Sequence, residues 1–179
     1  MNSIQAFKTV RDMPYKIPFT LKEEDVCCNG KHKLLKDLLE KQGLKVRYRV
    51  CTFLWSSIDL PEKVSSLQHD DNSTHVWLEV FINNEWIIVD ATWDIGLKNI
   101  FHVNEWDGKS NTKLAVKPIE IFSPQKSADI MNTEYDEDTL NDLKIDGEFS
   151  KAFNEWLEEQ RVSVSDLEST QMWGSGLDF

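Results

Sequence analysis

The stretch Thr74–Asp94, THVWLEVFINNEWIIVDATWD, decides the fold. Apolar and polar residues alternate on both sides of Asn83-Asn84, the pattern of two half-buried strands. Asparagine is at home at both central positions of a two-residue hairpin turn. Such a turn sets Ile82 opposite Glu85, Trp77 opposite Asp90 and His75 opposite Thr92. Side chains alternate, so His75, Trp77 and Glu79 share one side with Ile88, Asp90 and Thr92. His75 and Asp90 then become diagonal neighbours, roughly 7 to 8 Å apart between backbones, a span that two polar side chains can close. A four-residue loop keeps this register, whereas an odd-length loop sends the two residues to opposite faces. The other side, Val76, Leu78, Val80, Ile87, Val89 and Ala91, is apolar and belongs on a core. His75 and Asp90 read either as a base and its orienting carboxylate, or as a strand-end histidine and a capping aspartate.

Upstream, Cys27-Cys28-Asn29-Gly30-Lys31 opens a helix over residues 28–42. Leu34, Leu35, Leu38 and Leu39 recur at the spacing of one buried face. Lys31, Lys33, Lys36, Glu40 and Lys41 fill the remainder, and Gly43 fits the position just past a helix end. A thiol in the first turn of a helix faces unpaired N–H groups and a positive dipole end, which favour the reactive thiolate. An imidazolium nearby lowers the thiol pKa further, and a carboxylate on the other ring nitrogen fixes the histidine tautomer. Cys, His and Asp together are the minimum set for covalent acyl transfer. Helical spacing does not choose between the two cysteines, since Leu34 and Leu38 follow Cys27 as Leu35 and Leu39 follow Cys28. Cys51, inside a strand, reads as a small core residue.

The chain has 179 residues, 40% of them hydrophobic, enough for one domain over 1–179 with a real core. With Lys plus Arg 20 and Asp plus Glu 31, the net charge is −11. That balance argues against nucleic acid and anionic membrane surfaces as partners. Three cysteines, two of them adjacent, fit a reducing compartment better than a disulfide framework. No segment reaches the ~18 to 20 apolar residues of a membrane span, and the first residues lack a signal-type apolar run. A soluble cytoplasmic location is the expectation. No Cys-x-x-Cys spacing occurs, so neither a zinc site nor any other metal or cofactor is expected.

Beyond these motifs, residues 3–11 read as a short amphipathic helix and Val46–Trp55 as a strand. Residues 56–73 read as a polar loop, and Lys113–Phe122 as a strand broken by Pro118 and closed by Pro124. A C-terminal extension covers 124–179. It holds an acidic run, Glu134–Glu148, with seven acidic residues against Lys144, read as a solvated face. It also holds a helix over Phe149–Arg161, and a tail, QMWGSGLDF, without periodicity.

Two motifs resemble the transglutaminase-like (papain-like) cysteine superfamily. The first is a Cys at a helix start, Lys three residues on, paired leucines and a Gly before a strand: Cys28, Lys31, Leu34-Leu35, Leu38-Leu39, Gly43, then Val46-Arg47. The second is His-x-Trp-x-Glu-Val, a short turn, Trp, and Asp with a small residue and Thr: His75, Trp77, Glu79-Val80, Trp86, Asp90-Ala91-Thr92. They stand in the family's order within about residues 24–94. The chain departs from the pattern at His32, where a small residue is common, in the lead-in Asp25-Val26-Cys27, and at Asn29-Gly30.

The resemblance selects Cys28 over Cys27 by its distance to Lys31. It implies an α+β fold with the Cys-bearing helix packed on an antiparallel sheet. It further implies Cys28 as nucleophile, His75 as base and acid, and Asp90 as orienter. The activity implied is cysteine protease or amidase chemistry on peptide or isopeptide bonds through a thioester, with a protein or peptide substrate as the partner. A cross-linking acyltransferase and a non-catalytic binding module on the same fold are the alternatives. The backbone N–H of Cys28 is one natural oxyanion donor, and the second is not legible. Trp77, on the His75 face, reads as a wall of the substrate site or as packing. Specificity is expected from residues 95–179 or from the 56–73 loop.

Overall fold

In the computed structural model, which describes residues 1–20, 22–133 and 145–161, Asn83 and Asn84 take φ of 50° and 71°. These left-handed values form the two-residue turn that matches the twist of the flanking strands. The turn joins β2 (Asn72–Ile82) to β3 (Glu85–Val89), with Ile82 opposite Glu85 and Leu78 opposite Val89. β1 (Lys45–Leu54) pairs antiparallel with the other edge of β2 and sets Cys51 opposite His75. The result is an open three-stranded antiparallel sheet in the order β1-β2-β3.

One face of this sheet is apolar and is covered by two helices. Leu78, Val80, Ile87, Val89 and Ala91 pack with Ala6, Phe7 and Val10 of α1 (Ser3–Arg11) and with Leu35 and Leu39 of α2 (Cys28–Glu40). A one-residue slip would turn five apolar side chains to water, at about 1.5–3 kcal/mol for each large one, so packing enforces the register. α1 starts at a reciprocal cap in which the Asn2 side chain accepts the Gln5 N–H and the Gln5 side chain accepts the Asn2 N–H.

The four leucines of α2 do not form one buried face. Leu35 and Leu39 are fully buried, whereas Leu34 is 38% exposed. The sheet lies on one side of the helix only, and the stripe it covers is narrower than the leucine pattern. In place of Leu34 the helix buries Lys31 and His32.

A second core sits at the other end of the sheet. There Phe53, Trp55, Trp93 and Tyr15 pack with Phe149, Phe153 and Trp156 of the last described helix, α5 (Gly147–Gln160). The 56–73 loop is shorter than its polarity suggests. It contains a helical turn at Trp55–Ser57 and the short α3 (Glu62–Ser65), and Asn72 already belongs to β2. Residues 113–122 form no strand. They run along the free edge of β1, with Cys51 bridged to Ile121 and backbone hydrogen bonds confined to residues 119–122, joining Thr52 to Ile119 and Glu120, and Val50 to Phe122. Pro124, read as the end of that strand, instead occupies the first turn of α4 (Pro124–Asn132), capped by the Ser123 side chain. The architecture is therefore α+β, with five α-helices among the described residues. Most of the acidic run and all of the C-terminal tail lie outside them. No described helix is long and apolar enough to cross a membrane.

Candidate active site

Cys28 is the first residue of α2, and Cys27 is its N-cap with φ −80° and ψ −168°. The lead-in is held by the Asp25 side chain, which accepts the Cys27 N–H at 3.0 Å. The first hydrogen bond of the helix runs from the Lys31 N–H to the Cys27 carbonyl. The N–H groups of Cys28, Asn29 and Gly30 therefore have no acceptor within the helix and point past the thiol end. Gly30 is required here. A β-carbon on it would sit 1.6 Å from the Asp25 carbonyl oxygen, so the lead-in crosses directly over the first turn.

β3 ends at Val89, one residue before Asp90. Asp90 is fully buried, and its N–H turns to the Thr112 hydroxyl. Its Oδ2 accepts from His75 Nε2 at 2.9 Å and from the Ala115 N–H at 2.8 Å. Its Oδ1 accepts from the Thr92 N–H at 3.0 Å and the Thr92 hydroxyl at 2.6 Å. Burial alone would push the Asp90 carboxyl pKa up. The charge and hydrogen bond of His75, with help from His32 and Thr92, hold it well below the usual carboxylate range instead.

With Nε2 committed to Asp90, the His75 ring lies close enough to Cys28 for each to shift the pKa of the other, while the thiol itself contacts Asn29 Oδ1 at 3.8 Å. Burial disfavours the imidazolium, but Asp90 and Cys28 outweigh it and raise the His75 pKa to about 10. The thiol responds in the opposite sense. A hydrogen bond from Cys27 lowers the Cys28 pKa most; burial opposes, and His75 and the Val76 N–H add to the lowering, leaving it well below its ordinary value. Cys27 moves the other way, held protonated by its bond to Cys28 and by burial. The arrangement stabilises a thiolate–imidazolium pair with an oriented carboxylate behind it.

His32, read from the sequence only as a departure from the family pattern, braces this set. Its Nδ1 donates to the Cys28 carbonyl at 2.7 Å, and its Nε2 accepts the Ala91 N–H at 3.0 Å. Burial lowers its pKa, so the ring is neutral with the proton on Nδ1. The signal was present in its spacing, four residues after Cys28 and hence one turn along the same helix face. Lys31 donates to the carbonyls of Arg11, Met13 and Thr92 at 2.9, 3.0 and 2.7 Å, tying α2 to the end of α1 and to the segment after β3. Burial pushes its ammonium pKa down to about 7 against the pull of Asp94 and Asp90. Asn104 bridges the carbonyls of Asp90 and Lys113, a long-range link with no local sequence signal.

Cys28 and His75 open onto a cavity of about 260 Å³. Its walls include Tyr15, Phe53, Trp55, Trp93 and Phe149. Burial, followed by the charge of Cys28, raises the Tyr15 pKa well above normal, so the lining includes a protonated phenol. Trp77 does not line the cavity. It is buried against His75, with ring centroids 6.2 Å apart and an interplanar angle of 18°. Trp93 is both core and cavity wall. Glu79 is ion-paired with Arg47 and Arg49. Cys51 is buried opposite His75, and burial pushes its thiol pKa up to about 11. No group of three or more His, Cys, Asp or Glu among the described residues is placed to hold a metal ion.

Comparison with protein-family models, with curated proteins and with solved structures found no match to this chain.

Proposed function

We propose that this chain is a thiol-dependent acyl-transfer enzyme of transglutaminase-like type that hydrolyses peptide or isopeptide bonds. The observation that carries this reading is His75, hydrogen-bonded through Nε2 to the buried Asp90 and lining one cavity with the Cys28 thiol at a helix start. The Cys28 thiolate attacks the carbonyl carbon, and the oxyanion is met by the Cys28 N–H. His75, protonated, gives its proton to the departing amine as the C–N bond breaks, leaving a thioester on Cys28. His75, now neutral, takes a proton from water, which attacks the thioester and releases the acid and the thiolate. Asp90 holds the ring in place and stabilises the imidazolium at each stage. Transamidation differs only in that an amine replaces this water, and hydrolysis is preferred because water needs no second binding site.

Alkylation by iodoacetamide at pH 5.5 tests the reading. An unperturbed thiol of pKa ~8.5 is about one part in a thousand thiolate there. Cys28 is expected to react at least tenfold faster than free cysteine and to lose that advantage in His75→Ala. Reaction no faster than free cysteine, unchanged in the variant, marks a binding module instead. Mass spectrometry of a glutamine peptide incubated with a primary amine separates hydrolysis from transamidation.

A further inference from the structure

We infer that the cavity beside Cys28 is an acyl-donor pocket that takes one aromatic or large aliphatic side chain and excludes anionic ones. This rests on the thiol chemistry proposed above and adds a substrate class to it.

Size comes first. The cavity of about 260 Å³ is smaller than the roughly 300–1,000 Å³ of pockets that enclose drug-sized ligands. It suits a single side chain rather than several residues. The nature of the walls comes second. Phe53 and Trp55 meet edge to face at 5.1 Å, and Trp55 meets Phe149 at 5.1 Å. On the other side Tyr15 and Trp93 lie 4.9 Å apart, and Trp93 stacks on Phe101 at 4.1 Å. Each ring is braced by another, so the pocket is formed before a substrate arrives, and filling it removes apolar surface from water without ordering the walls.

Charge decides the rest. The charged side chains at the cavity, apart from the catalytic pair, are Asp25 and Asp146, and no Lys or Arg of the described residues lines it. A substrate carboxylate would lose water against aromatic rings and meet two carboxylates, while the thiolate–imidazolium pair adds no net positive charge to offset them. A neutral apolar side chain incurs neither cost. Asp146 and Phe149 come from the C-terminal extension, which places the selective wall on the segment outside the two sequence motifs.

The full chain with 4-nitrophenyl esters of N-acetyl-Phe, N-acetyl-Leu, N-acetyl-Gly and N-acetyl-Glu tests this. Attack by Cys28 forms the thioester, breaks the ester C–O bond and releases 4-nitrophenolate, which is followed by its absorbance. Each rate is divided by that of free N-acetylcysteine with the same ester, which removes intrinsic reactivity. The Phe and Leu esters are expected to acylate the protein roughly ten- to a hundredfold faster than the Gly ester, the discrimination available to an apolar pocket. The Glu ester is expected to be slower than the Gly ester. Asp146→Asn keeps an oxygen for the Asp70 N–H that Asp146 now accepts at 2.9 Å. It is expected to raise the Glu rate severalfold relative to the Leu rate. A flat series, or Glu matching Leu in the unmodified protein, overturns the assignment. If iodoacetamide still alkylates Cys28 rapidly at pH 5.5, only the pocket assignment falls and the thiol chemistry stands. If alkylation is also slow, both fall together.

Discussion

Gly30 and Asp25 are in such close contact that the helix carrying Cys28 has no room for a single methyl group at that point, where a β-carbon would lie 1.6 Å from a backbone oxygen. Gly43 presents the opposite case, with φ +82° and nothing within 4 Å of an added β-carbon. Gly30→Ala is expected to cost about 3 kcal/mol, because backbone must move. Gly43→Ala is expected to cost about 1 kcal/mol, for conformation alone. Thermal melts then show Tm falling by roughly 6–12 °C for the first and 2–4 °C for the second. Equal shifts would contradict the steric argument.

His32→Ala removes a donor to the Cys28 carbonyl and an acceptor from the Ala91 N–H, both in the interior. Unpaired buried groups and the vacated volume together are expected to cost about 3–5 kcal/mol. A positioning role predicts more than lost stability. In the variant, the pH profile of Cys28 alkylation shifts upward, toward that of an ordinary thiol. A purely structural role leaves that profile where it was in the fraction that stays folded.

Lys31→Met keeps the length of the side chain and removes the ammonium. Three carbonyls, of Arg11, Met13 and Thr92, then lose their donor. The expected loss is about 2–4 kcal/mol, read as a lower denaturant midpoint with little change in the slope. Lys31→Arg is expected to fail as well, since a planar fork does not match three carbonyls gathered around one point.

The His75–Asp90 contact makes stability depend on pH in two separate windows. His75 has its pKa raised to about 10 in the folded state, above its ordinary ~6.5. Its contribution is fully present below pH ~6.5 and is lost as pH rises through about 10. Asp90 has its pKa depressed, so its contribution is present above pH ~3.9 and is lost as pH falls through the folded value. The difference in denaturation midpoint between the unmodified protein and His75→Gln is therefore expected to shrink from neutral pH toward pH 10. For Asp90→Asn the difference is expected to shrink below pH 4 instead.

Local rules made the hairpin readable. Two asparagines that accept positive φ set the register, and alternation set the faces. The pairing of His75 with Asp90 follows from those two facts, as does the burial of Leu78, Val80 and Val89. The Asp-x-Thr spacing also carries its own meaning, because Thr92 bonds back to the carboxylate two residues earlier. What was not readable depends on partners distant in the chain. Lys31 reads as one more solvated lysine until the ends of α1 and β3 are brought to it. Gly30 reads as a weak helix start until Asp25 crosses over it. His32 reads as an intrusion until Ala91 arrives at its free nitrogen. The 113–122 segment has strand composition, but its backbone bonds to β1 are confined to residues 119–122, which makes it an escort to β1 rather than a member of the sheet.

The walls of the cavity come from widely separated parts of the chain: Tyr15 near the beginning, Phe53 and Trp55 at the end of β1, Trp93 after the hairpin and Phe149 on α5. Arg161 closes the circuit, binding both the Asp94 carboxylate and the Tyr15 carbonyl. Cys28, His75 and Asp90 are all present once residue 90 has been made, but the pocket they face has no far wall until α5 docks. During synthesis, the Cys28 thiol and the His75 ring can thus come together well before the cavity beside them is complete. On the acyl-transfer reading proposed above, selective acylation would mark the moment when α5 has docked, and its order of appearance follows from the length of chain between Cys28 and Phe149.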